Sequence, residues 1–209
     1  KYNGDLDSMK QALLILLLIF SSISPEVLRA DDFSVSLGGI ALSRPDYEGA
    51  DTSEFDILPL IDISMGKSVF LNVERGLGVY LMNNSDLEFG GSLGYYEARN
   101  EDDSPILTGL GDIDGGIDGR IFAKLELERY SLSLQLQTDI SGNHDGTLLI
   151  VGAGYSFGRH TDVDWNVKAS MTFADDNYIQ SYFGITSAQS IRSGITKFDG
   201  EGGLKDLAL

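Results

Sequence analysis

The stretch GLGDIDGGIDGR, residues 109–120, sets three aspartates among five glycines. Carboxylates this close could hold a hard cation, and glycines this dense could cradle a phosphate. A calcium loop of the EF-hand type needs oxygen ligands at positions 1, 3, 5 and 12 and a glycine at 6. Counting from Asp112 puts Asp114 at 3, but Gly116 at 5, Ile117 at 6 and Ala123 at 12, so the pattern fails. A phosphate turn needs a buried strand before the glycines and a helix after them. The residues that follow, IFAKLELERY, alternate in polarity instead. Period two survives: Ile113, Ile117, Ile121, Ala123 and Leu125 share one parity, Asp112, Asp114, Asp118, Arg120 and Lys124 the other. That is a strand with a charged face and an apolar face.

Two other groups carry chemistry. His144 stands in SGNHDG beside Ser141, Asn143 and Asp145, the residue types of a serine hydrolase acting on lipid esters. Such an enzyme needs these groups to converge with a third that orients the base. A polar Gly-rich hairpin is the simpler reading, and no G-x-S-x-G elbow supports the enzyme. Acidic groups at Asp46 with Glu48, Glu101 to Asp103, and Asp175 with Asp176 could meet calcium or the divalent ions that bridge lipopolysaccharide. Their spacing is not that of a ligand set, and solvated acidic loops explain them. No catalytic, cofactor or metal site is therefore assigned. For Asp112, Asp114, Asp118 and Arg120 the alternatives are a cation-selecting lumen and a closed network. In the network, Arg120 and Lys124 pair with inward carboxylates of neighbouring strands. A barrel of modest strand number can be filled by its own side chains, which favours the network.

The elements that must position these residues follow from composition and period. A chain of 209 residues with 25 glycines, four prolines and no cysteine suits a turn-rich β protein without disulfides. Its formal net charge of -17 argues against nucleic acid as a partner, since phosphate demands the opposite sign. Met9 and Lys10 lead into the apolar run Ala12 to Phe20 and then to Leu28-Arg29-Ala30, the plan of a secretory signal peptide over residues 9–30. Residues 1–8 read as upstream sequence foreign to the protein, and residues 31–209 as the domain.

Within that domain, alternation predicts strands at Phe33 to Leu42, Phe55 to Ser64, Lys67 to Val73, Leu77 to Met82, Leu87 to Ala98, Asp112 to Glu126, Ser131 to Ile140, Thr147 to Phe157 and Val163 to Phe173. A tenth starts at Leu204. The Lys67 to Met82 region could instead be one longer strand with a bulge. Alternation is shared by soluble sandwiches and membrane barrels. Charged inward faces, aromatic strand ends, strands of about ten residues and long acidic loops confined to one end favour an all-β, antiparallel transmembrane β-barrel. Unpaired strand edges are not tolerated in lipid, so a C-terminally truncated barrel is expected.

Several stretches together resemble the MipA/OmpV family of outer-membrane proteins. They are RPDYEGAD (Arg44 to Asp51), ERGLGVYLMN (Glu74 to Asn83), GLGDIDGGID (Gly109 to Asp118), DISGNHDGTL (Asp139 to Leu148), FADDNYIQSYFGIT (Phe173 to Thr186) and AQSIRSGITKFDGEGGLKDL (Ala188 to Leu207). The resemblance makes Asp46, Tyr47, Gly49 and Arg75 family-motif positions. It implies a barrel of about twelve strands in a Gram-negative outer membrane, embedded among outer-membrane lipid and lipopolysaccharide. It further implies a scaffold that brings a lytic transglycosylase together with a penicillin-binding protein. A small-solute or ion pore and a lipid hydrolase are the alternatives, and fold-level likeness alone does not choose among them.

Overall fold

The computed structural model describes residues 33–45, 47–50, 53–157 and 165–209. The upstream segment 1–8, the leader 9–30 and Asp46 lie outside the described residues, as do the first two residues of the expected ninth strand. Ten strands follow one another in a single antiparallel meander: β1 (Phe33–Pro45), β2 (Ser53–Met65), β3 (Val69–Asn72), β4 (Gly76–Asn83), β5 (Leu87–Tyr96), β6 (Gly116–Leu127), β7 (Tyr130–Asp139), β8 (Thr147–Phe157), β9 (Trp165–Ala174) and β10 (Gly203–Ala208). The all-β expectation is borne out. The sheet is barrel-like but not closed, with β1 and β10 as its edges.

One expectation is borne out and one is corrected. Lys67 to Met82 forms the two strands expected, joined by a tight turn, and not the alternative of one bulged strand. The sixth strand begins at Gly116 rather than Asp112, because residues 97–115 fold into a loop with a 3₁₀ turn at Pro105–Leu107. The loop is closed at its base by paired backbone bonds between Arg99 and Ile113.

Alternation along each strand gives the sheet two unlike surfaces. On β7, Leu132, Leu134 and Leu136 stand outward and exposed, while Gln135 and Gln137 face inward and are half-buried. Neighbouring strands continue the apolar face with Ile121, Val167, Met171 and Phe173. A continuous apolar surface of this extent has no place in water and suits lipid. At the end where the described turns are two or three residues long, Tyr130, Tyr155 and Phe157 pack ring to ring at 5.0 and 4.6 Å. That is where an interface girdle belongs.

The inner surface is packed by setting large side chains opposite glycine. Phe70 pairs with Gly78, Phe122 with Gly90 and Asp118 with Gly94. A Cβ at Gly78 would overlap the Phe70 ring, and one at Gly94 the Arg120 guanidinium. Phe70, Tyr80 and Phe122 form an aromatic cluster with centroids 4.5 to 5.8 Å apart, and Arg75 lies over Phe122 at 4.4 Å. The long connections gather at the other end, where helices α1 (Asp176–Tyr182) and α2 (Ser187–Ser193) interrupt the β9–β10 crossing.

Candidate functional site

Asp139 ends β7, and its carboxylate organises the loop that follows. It accepts hydrogen bonds from the backbone N–H of Ser141 (2.7 Å), His144 (2.9 Å) and Asp145 (3.0 Å), and from the Tyr96 hydroxyl (2.9 Å). Four donors on one carboxylate fix the turn, and Asp145 takes the left-handed φ of 50° that Asp tolerates. His144 is thereby pushed over the sheet among three tyrosine rings: Tyr96 at 4.8 Å, Tyr182 at 5.4 Å and Tyr178 at 5.5 Å. Gly146 N–H donates to His144 Nδ1 at 2.9 Å, so the neutral ring carries its proton on Nε2. Burial lowers the His144 pKa, against the raising influence of Asp139 and its neighbours.

Tyr178 and Tyr182 come from α1, one turn apart, and stack at 4.5 Å. Asp175 caps this helix by accepting from Tyr178 N–H at 2.8 Å, and Asp176 accepts from Gly202 N–H at 2.6 Å. Burial raises both phenols, with nearby Glu48 adding to it; Tyr182 is pushed up to about 12. Glu48, in the β1–β2 loop, accepts from the Tyr178 hydroxyl at 3.2 Å and pairs with Lys205 of β10 at 2.8 Å. Lys205 also pairs with Asp206 at 2.9 Å. One lysine thus ties the loop of the first hairpin to the last strand, across the open edge of the sheet.

Arg99 completes the arrangement. It is 7% exposed and donates to the carbonyls of Tyr182 (2.8 Å) and Gly111 (3.3 Å), while its Nε has no partner among the described residues. Burial lowers its pKa, as expected of a charge left incompletely compensated.

The residues singled out from sequence fall into separate groups. Tyr47 and Gly49 lie beside Glu48 at the mouth, where Gly49 takes φ 89° with the Phe183 ring against it. Arg75 lies on the inner wall, donating to Glu88 (3.2 Å) and Tyr80 (3.4 Å). Asp118 and Arg120 face inward: Asp118 is 1% exposed, ion-paired with Arg120 and bonded by Gln137 Nε2 at 2.9 Å. Arg120 Nη1 donates to the Glu74 carbonyl at 2.7 Å. A network is present, but Arg120 pairs along its own strand, as Lys124 does with Glu126, and not with carboxylates of neighbouring strands. Asp112 and Asp114 are exposed in the loop rather than on the inner face of β6; Asp112 accepts from Glu101 N–H at 2.8 Å. Ser141 Oγ is engaged with the backbone of Ile117 and His144 Nδ1 with Gly146, so the hydrolase pair expected as one alternative is occupied elsewhere.

Arg99 and Lys205 were not foreseen. Each is a lone cation in an acidic stretch, and nothing in sequence tells which one becomes buried. Asp139 carried a readable signal, since an aspartate ahead of Ser-Gly-Asn is typical of a side chain that caps its own turn.

No curated protein and no solved structure is significantly similar to the chain. The family model described as MltA-interacting protein MipA matches residues 37–209, from the first strand through the capping helices to the last strand. The chain therefore belongs to the MltA-interacting protein MipA family.

Proposed function

We propose that the protein is a non-enzymatic outer-membrane β-barrel that serves as an envelope scaffold, docking a murein lytic transglycosylase at its short-turn end. The family match over residues 37–209 carries this reading, because interaction with MltA is what the family's description states. The apolar outer face and the aromatic cluster at the short-turn end support placement in a membrane. The packed inner wall favours a scaffold over a pore: Phe70 and Phe122 are buried ring against ring at 5.8 Å, and buried Asp118 is taken up by Arg120 and Gln137.

The docking surface is small. Described turns at that end span residues 66–68, 84–86 and 128–129, well short of the roughly 800 Å² per partner of a stable interface. The complex is accordingly of the weak, transient kind. Planar-bilayer recording of the refolded protein separates scaffold from pore: a folded, silent barrel is expected. Reproducible conductance steps that change with Asp118→Asn would replace the scaffold by a pore.

A further inference from the structure

A cavity of about 790 Å³ lies at the loop end, between α1, the β1–β2 loop and the inner faces of β8 to β10. Small-molecule pockets span roughly 300–1,000 Å³. Its wall is apolar along Leu148, Ile150, Tyr178, Tyr182 and Phe183. Arg99 lines it with a buried guanidinium whose two hydrogen bonds go to main-chain carbonyls. Asp103 and Asp112 act on it only through space, and among the described residues no carboxylate forms an ion pair with it. A buried guanidinium with unused donors is matched by a planar anionic acceptor such as a carboxylate.

The remaining charge at the cavity is negative. Lys205 is shared between Glu48 and Asp206, and Glu97 and Asp103 add two further carboxylates, so a lone anion would meet repulsion beyond its contact with Arg99. A cationic group on the same ligand removes that conflict. We propose that this cavity binds a small amphipathic zwitterion of the amino-acid or short-peptide class. Its carboxylate sits on Arg99, its ammonium toward Glu48 and Asp103, and its apolar side chain against Tyr178, Tyr182 and Phe183. The cavity is at the opposite end from the short turns, so this assignment stands apart from the scaffold reading.

Calorimetric titration of the detergent-refolded full chain tests it, with phenylalanine, phenylalanyl-alanine and phenylalanyl-alanyl-phenylalanine as free-ended probes. Saturable binding of at least one is expected, weakened at least tenfold by C-terminal amidation and also weakened by N-acetylation. In Arg99→Gln the acid and its amide should bind alike. No saturable binding by any probe, or equal affinity for acid and amide in the unsubstituted protein, overturns the site. Equal affinity for the N-acetylated form overturns its zwitterionic character. Should Arg99→Gln fail to fold, judged by heat-modifiable gel mobility, the acid and amide comparison on the unsubstituted protein decides alone.

Discussion

Asp118 is the most deeply committed charged side chain among the described residues, and its environment leaves little latitude. Its carboxylate meets Arg120 and Gln137 on the inner wall, and the space they fill exists because Gly94 lies opposite. Removing one member of a buried pair strands the other's charge. Asp118→Ala should therefore cost roughly 3–5 kcal/mol, read as a lowered urea midpoint in detergent. Gly94→Val attacks the same network sterically and should cost about 1–3 kcal/mol through displacement of Arg120; the same urea titration measures it. The residue scale was partly legible in sequence. The period of IDGRIFAK placed Asp118 and Arg120 on the inner face, but it could not show that they pair with each other. From sequence, Arg120 is expected to reach carboxylates of neighbouring strands instead.

At the scale of elements, period two was the reliable signal wherever both faces were consistent, as in β7 and β8, and it failed where a loop imitates alternation. Asp112 and Asp114 continued the parity of β6 by chance, yet the bonds between Arg99 and Ile113 pinch residues 97–115 into a loop of their own. Helix α1 was missed because its seven residues carry too few turns for a 3.6 period to emerge. Strand orientation has a direct test. A lysine on the lipid face near mid-membrane costs about 2–4 kcal/mol, so Leu134→Lys should lower refolding stability in lipid vesicles by that order. Gln135→Lys, facing inward, should be far milder.

The loop cap should respond to pH through His144. Facing the imidazole are the rings of Tyr96, Tyr178 and Tyr182 and, at longer range, the carboxylates of Asp118, Asp139, Asp145 and Asp175. Because its pKa is lowered in the closed cap, the opened loop binds a proton more readily. The cap is then fully stable above the ordinary histidine value of about 6.5 and weakens as pH falls below it. Limited proteolysis of the loops should accelerate between pH 7.5 and 5.5, and His144→Phe should remove that acceleration. A rate independent of pH in the unsubstituted protein would show that the imidazole does not govern closure.

Over the whole molecule, the two ends of the sheet have different characters. One carries packed tyrosines, a latch from Glu48 to Lys205 and a cavity; the other carries short turns and the aromatic cluster of Tyr130, Tyr155 and Phe157. The family's interaction belongs with the second end if the long loops face outward, and that polarity is the central claim. A photo-crosslinking amino acid placed singly at Asn84 and Glu128 in the short turns, and at Ile106 and Ile191 in the loops, tests it in intact cells. Adducts with a murein lytic transglycosylase from Asn84 or Glu128, and none from Ile106 or Ile191, are predicted. Adducts from the loop positions alone, or from none of the four, would contradict the account.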